Sequence, residues 1–217
     1  PKPFDPRLIS TIPVAVAKAA IESGVATEPI EDWERYTEEL SGRLGNSQKM
    51  VRLLHDRAKA APKRLVFAEA DQMDVLKAAQ IVHEEGIAIP ILLGNKATID
   101  DLRAAINFDD EVEIIDPKEE AHKAQRDHYA DLFWKDQRRK GYTLYDAQRL
   151  MRERNYYASM MIKNRDADAM ISGYSRNYRS VVKPILETIS KAKGVSRVAA
   201  TNLMLTKSGP LFLSDTT

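Results

Sequence analysis

The 217 residues carry 33 Lys plus Arg against 32 Asp plus Glu, four His, no Cys and 43% apolar side chains. That apolar share with a net charge of +1 excludes a disordered chain, which is poor in apolar residues and strongly charged. The lack of Cys excludes disulfides, thiolate metal sites and a Cys nucleophile, and no run approaches the ~20 apolar residues of a membrane span.

The chain opens on Pro1-Lys2-Pro3-Phe4-Asp5-Pro6, a rigid extended stretch without an initiator Met. It stops four residues after the apolar run Leu211-Phe212-Leu213, and so reads as a fragment of a longer protein. No basic-plus-apolar leader is present, which makes the cytoplasm the expected compartment, with no membrane partner. Ile9, Ile12, Val16, Ala19 and Ala20 recur at helical spacing over 7–24, with Gly24 as the stop. Pro13 should kink or restart that helix, with Ser10 or Thr11 as cap. An acidic helix over 31–43 carries Trp33, Tyr36 and Leu40. Gly42 to Ser47 is the linker candidate, and a helix over 47–61 sets Met50, Leu53, Leu54 and Ala58 on one face.

From Arg64 the pattern alternates. Strands are expected at Arg64–Ala68, Ile89–Leu93, Val112–Ile115 and Ala169–Ile171. Between them lie helices over Asp74–Glu85, Thr98–Ile106 (opened by a capping box on Thr98 and Asp101), 118–139, 144–153 and 155–164. A last helix covers 178–191. Alternation with short connections predicts an α/β fold: a mostly parallel sheet with helices on both faces. Val198–Leu205 and Leu211–Leu213, joined by Ser208-Gly209-Pro210, start a second sheet.

Charge is unevenly placed. Residues 135–197 carry 15 basic and 6 acidic side chains, whereas 49–134 carry 12 and 17. The basic block suggests an anion-facing surface; solvated helix faces are the alternative. In open parallel sheets ligands sit beyond the carboxyl ends of the strands. This singles out Glu69-Ala70-Asp71, Gly94-Asn95, Asp116 and Ser172-Gly173-Tyr174-Ser175-Arg176. The last combines a small pair, a hydroxyl and a guanidinium just before a helix N-terminus, whose N–H groups favour anions; an ordinary strand–helix turn is the rival reading. No dinucleotide fingerprint or phosphate loop is present. His122 and His128 are six apart, off one helical face, and read as surface residues, as do the isolated His55 and His83; no metal site is expected. Tyr156, Tyr157, Ser159, Met160 and Met161 read as helix packing. Lys135, Arg138, Arg139 and Lys140 suit phosphate, but no nucleic-acid motif accompanies them, so no nucleic-acid partner is expected.

Two resemblances meet in this chain. Pro3-Phe4-Asp5-Pro6-Arg7-Leu8, Ala15-Val16-Ala17-Lys18-Ala19-Ala20 and Ser23-Gly24-Val25-Ala26 resemble the carboxyl end of the catalytic part of bacterial malic enzymes. From about residue 63 the chain is similar to the amino-terminal half of phosphotransacetylase. The matching stretches are Phe67-Ala68-Glu69, Val75-Leu76-Lys77-Ala78-Ala79, Gly86-Ile87-Ala88-Ile89-Pro90, Ile91-Leu92-Leu93-Gly94, Lys140-Gly141, Ala167-Asp168-Ala169, Ile171-Ser172-Gly173 and Phe212-Leu213-Ser214-Asp215-Thr216. In this order the two resemble the large hybrid malic enzymes of bacteria.

The resemblance implies oxidative decarboxylation of malate to pyruvate with NADP and Mg or Mn, by residues upstream of Pro1. It implies no catalytic or metal-ligating residue within these 217. It divides the chain into the end of the malic enzyme part (1–30), a helical linker (31–62), a phosphotransacetylase-like α/β domain (63–194) and the start of a second subdomain (195–217). The transferase family places Arg-Pro after its Ser-Gly turn, a small residue next to that Gly, and an Arg three residues before Lys140. Here Lys183-Pro184, Tyr174 and Gln137 stand instead. Lys does not reproduce the bidentate fork of Arg, and Gln is neutral. The expected role is therefore acetyl-CoA binding that regulates the malic enzyme, with Ser172, Gly173, Tyr174, Ser175, Arg176, Lys183 and Lys140 as binding candidates. A homo-oligomer, dimer or higher, is the expected assembly. A working phosphate acetyltransferase and a purely structural assembly module remain the alternatives.

Overall fold

A computed structural model describes residues 8–42, 46–206 and 209–214. The chain divides into two compact units, Ala58–Ser196 and the segments flanking it, up to Arg57 and from Arg197.

The inner unit is built on a four-stranded parallel sheet of β1 (Lys63–Phe67), β2 (Ala88–Leu93), β3 (Glu113–Ile115) and β4 (Ala169–Ile171), in the order β3-β2-β1-β4. The helices are α4 (Met73–Glu84), α5 (Lys96–Ala105), α6 (Lys123–Gln137), α7 (Leu144–Leu150), α8 (Arg154–Asn164) and α9 (Tyr178–Thr188). Successive strand residues point to opposite faces, and both faces of β1 and β2 are apolar. Val66, Ile91 and Leu93 pack beneath Tyr129, Phe133 and Met160 of α6 and α8. Phe67 and Leu92 pack on the other side against Leu76 and Ile99 of α4 and α5. The expected α/β architecture with helices on both faces is what forms. Tyr156, Tyr157, Met160 and Met161 are core residues, in keeping with a packing role.

Several boundaries differ from the sequence reading, each for a local reason. Helix α5 starts at Lys96, because Asn95 Oδ1 accepts from Thr98 N at 3.0 Å; Thr98 is a donor to the cap, not the cap itself. The capping box of this unit lies at Thr143 and Asp146, where it opens α7. The single helix expected over 118–139 is shorter. Asp116 Oδ1 accepts from Lys118 N at 2.9 Å, a short 3-10 turn follows at Glu120–His122, and only then does α6 begin. The helix expected to 191 ends at Thr188.

In the flanking unit α1 (Leu8–Glu22) runs unbroken through Pro13, so Ser10 and Thr11 lie inside it rather than at a restart. Helix α2 (Trp33–Gly42) is opened by Asp32, whose Oδ1 accepts from Arg35 N at 2.9 Å. Trp33 meets Tyr36 edge-on, and Lys18 Nζ lies 5.3 Å from the Trp33 ring centre. Helix α3 covers Asn46–Ala60, so of the expected linker Ser47 is already helical and 43–45 fall outside the described residues. Strands β5 (Thr201–Thr206) and β6 (Gly209–Ser214) form an antiparallel hairpin with Leu203 opposite Phe212. It begins three residues later than Val198, and Ser208 falls outside the described residues, as do Pro3 to Arg7, Asp215 and Thr216. Among the described residues no helix is long and apolar enough to cross a membrane.

Candidate functional site

Strand order reverses between β1 and β4, and the loops beyond their carboxyl ends meet there. Glu69 follows β1 and is 1% exposed. Its Oε1 accepts from Gly173 N at 2.6 Å and Tyr174 N at 3.0 Å, and its Oε2 from Ser175 N at 2.7 Å and from the Ser175 hydroxyl. Gly173 sits at φ +106, a conformation that suits glycine and turns these successive N–H groups inward. Burial alone would push the Glu69 carboxyl up. The Ser175 hydroxyl and the three backbone N–H groups outweigh it and hold the group at about 2. Ser172 Oγ donates to Asn155 Oδ1 at 2.7 Å. The backbone nest that the sequence offers to an external anion is thus occupied by a carboxylate of the chain itself. The first turn of α9 is likewise engaged, since Asn177 Oδ1 accepts from Ser180 N at 3.0 Å.

The open space lies beside that knot, beyond β2 and β3. A cleft of about 320 Å³ is lined by Gly94, Asn95 and Asp116 at the strand ends and by Arg176. Its other wall carries Lys118, Arg149, Arg152, Glu153 and Arg154. Arg154 is neutralised by Asp71 through paired bonds of 2.7 and 2.8 Å, which hold the Asp71 carboxyl below its usual range. Glu153 caps α8 by accepting from Asn155 N and Tyr156 N; burial nevertheless pushes its carboxyl up.

Lys140 and Lys183 stand in a second depression of about 400 Å³, with Tyr142, Asp146, Arg149 and Tyr156. Behind it Glu187 gathers a knot of its own. Its carboxylate accepts from Tyr142 at 3.0 Å and Tyr156 at 2.5 Å, and its carbonyl from Gln137 Nε2 at 2.6 Å. Lys183 Nζ lies 3.8 Å from the same carboxylate. Gln137 Oε1 is buried without a hydrogen-bond partner among the described residues.

The seven binding candidates therefore fall into three places. Ser172, Gly173, Tyr174 and Ser175 are tied to the Glu69 side, where Tyr174 OH also donates to Asp74. Arg176 enters the arginine-rich cleft, and Lys140 and Lys183 the depression next to it. The strand-end rule locates Gly94, Asn95, Asp116 and Arg176 in one cleft. It misses Lys118, Arg149 and Arg152. The visible signal for the last two is the dense arginine run at 149, 152 and 154, within the basic block. Among the described residues no group of three His, Asp or Glu is placed to hold a metal ion. His83 instead faces Asp110 at 3.8 Å and packs on Phe108.

The family model for Phosphate acetyl/butaryl transferase matches residues 49–217. An NADP-dependent malic enzyme of Rhizobium meliloti is 34% identical over 220 residues, which is all of this chain and 28% of that enzyme. A phosphate acetyltransferase of Thermoanaerobacterium thermosaccharolyticum is 31% identical over 156 residues, 71% of this chain and 46% of the relative. The EutD phosphotransacetylase structure from Staphylococcus aureus superposes with a TM-score of 0.67 at 25% identity, covering 76% of this chain and 49% of its own. The chain thus spans a little over a quarter of the malic enzyme it matches and about half of each transferase.

Proposed function

Given that the chain belongs to the Phosphate acetyl/butaryl transferase family, we propose that it is the regulatory part of a malic enzyme and carries out no acetyl transfer. The parent oxidises malate to pyruvate with NADP and Mg or Mn, using residues outside these 217. This part binds acetyl-CoA and assembles the parent as a homo-oligomer.

The supporting observation is the knot around Glu187. Gln137 and Lys183 stand where the transferase resemblance calls for arginines. Guanidinium groups there would stabilise charge developing on the transferring group. Here one position is a neutral amide tied to the Glu187 carbonyl, and the other an ammonium beside the Glu187 carboxylate. The carboxylate adds negative charge where the reaction needs positive. Anion binding survives next door, where Arg176 faces the arginine-rich cleft.

The test uses the purified parent, with acetyl-CoA titrated against malate-dependent NADPH formation. Acetyl-CoA should alter the malate kinetics. Charge-assisted bonds are worth ~1.5–3 kcal/mol each, so Arg176→Ala should weaken the response more than tenfold and Lys183→Ala less. Transfer of acetyl groups between CoA and phosphate should stay at background. Robust transfer would make this a working phosphate acetyltransferase. Malate kinetics indifferent to acetyl-CoA would leave an assembly module.

A further inference from the structure

The acidic groups on the wall of the arginine-rich cleft are already engaged. Asp116 accepts from Lys118 N at 2.9 Å and from Asn95 Nδ2 at 3.4 Å. Glu153 accepts from the N–H groups of α8, and the wall residue Arg154 is paired with Asp71 outside the lining. Lys118, Arg149, Arg152 and Arg176, by contrast, form no ion pair among the described residues. Four cations without an ion pair converge on about 320 Å³; Asp116 and Glu153, the carboxylates in the same lining, offset only part of their charge, which leaves the cleft net positive and suited to an anion.

Each is attached close to a fixed point. Lys118 is held through its own N–H, and Arg176 directly follows Ser175 on the Glu69 knot. Arg152 N donates to Arg149 O at 3.2 Å, and the next residue caps α8. Arginine forks on such a frame suit phosphate oxygens. No aromatic side chain lines this cleft, so it offers nothing for a base to stack on. The adjoining depression of about 360 Å³ shares Arg149 and Arg152 and adds Tyr145, which is 72% exposed. An exposed ring beside two shared arginines is what a base attached to the phosphates would need.

We propose that the corner between α7 and α8 binds a nucleoside diphosphate group, with its two phosphates among Lys118, Arg149, Arg152 and Arg176 and its base against Tyr145. This rests on the acetyl-CoA reading only for the ligand's identity, and it names the end of that ligand which this face takes.

Titration calorimetry of the 217-residue chain with pyrophosphate and with ADP tests the site directly. Both should bind, ADP more tightly. Arg149→Gln with Arg152→Gln should weaken both at least tenfold, and so should Arg176→Gln alone, a second route if the first variant folds poorly. Tyr145→Ala should remove only the advantage of ADP. Lys77→Gln, the same single-charge change as Arg176→Gln but on exposed α4, should stay within twofold. Absence of pyrophosphate binding, or an equal loss in Lys77→Gln, overturns the proposal. So does an acetyl-CoA response of the parent that survives the double substitution, which would leave the regulatory reading standing. Should pyrophosphate and ADP behave as expected while malate kinetics ignore acetyl-CoA, the site stands and the regulatory reading falls.

Discussion

Between residues 58 and 196 the two inner strands bury apolar side chains on both faces, and Val66, Phe67, Ile91, Leu92 and Leu93 are at most 2% exposed. In the flanking unit the same kind of pattern finds far less cover. Helix α1 has no buried residue, and Val16 and Phe212 are 62% and 66% exposed. The hairpin β5–β6 is apolar on both faces and open on both. Helical or strand periodicity states which face is apolar. It does not state what covers that face, and the two units differ only in whether a cover exists within the described residues.

The sharpest way to break the inner unit is at Glu69. Glu69→Ala would remove the carboxylate to which three part-buried backbone N–H groups donate, hydrogen bonds to a charged group worth ~1.5–3 kcal/mol each. We expect about 5 kcal/mol of destabilisation in urea melts. Glu69→Gln should cost less, with a pH signature. The carboxyl is held at about 2 in the folded chain, below its ordinary value of 4.5. A depressed folded value contributes stability that is full above the ordinary value and lost as pH falls toward the folded one. The gap between wild type and Glu69→Gln should therefore be widest above pH 4.5 and close toward pH 2. A gap constant across that range would mean that the charge of Glu69 is not what holds the loop.

Next in size is the core itself. Leu76, fully buried on α4 among Phe67 and Ile99, should cost about 2–4 kcal/mol when cut to Ala, from lost transfer energy plus the cavity left behind. The Arg154 pair is smaller. Asp71→Asn keeps the shape and loses the charge, and about 1–2 kcal/mol is expected for a pair still partly exposed.

The inner unit was legible because strands, helices and turns each announced themselves locally. Arg64–Ala68 is a short apolar run between breakers, and Gly86 and Gly94 end their elements. What failed depended on a partner elsewhere. The 118–139 helix was overdrawn because the Asp116 carboxylate turns the chain at Lys118. The Ser172–Ser175 loop looked like an anion nest, and it is one, but its anion comes from 104 residues away in the case of Gly173. Sequence spacing carries no trace of such a pairing. The candidates split into separate places for the same reason: Arg176 and Lys183 lie seven residues apart, yet α9 and the Glu69 knot carry them into different clefts.

The smallest expected effect is the most discriminating for the flanking unit. Trp33 is a poor probe of an interface, because it is half-buried, meets Tyr36 and lies under Lys18. Trp33→Asp would disturb the fold of α1 and α2 before it disturbed any assembly. Val16 and Leu54 are cleaner probes, being exposed on α1 and α3. Val16→Ser with Leu54→Ser removes apolar surface that is already in water, so the stability of the 217-residue chain should move by no more than about 0.5 kcal/mol. In the parent the same pair faces a different test, because a large apolar face left uncovered by its own chain usually marks an interface. If the parent is a homo-oligomer through α1 to α3, the double substitution should lower its molar mass by light scattering at micromolar concentration while the melting of the short chain stays put. Loss of stability in the short chain would mean that these faces are cover helices of its own fold. An unchanged oligomer would move the interface off α1 to α3, and the open faces of the β5–β6 hairpin, with Phe212 and Met204, would then be the next surface to substitute.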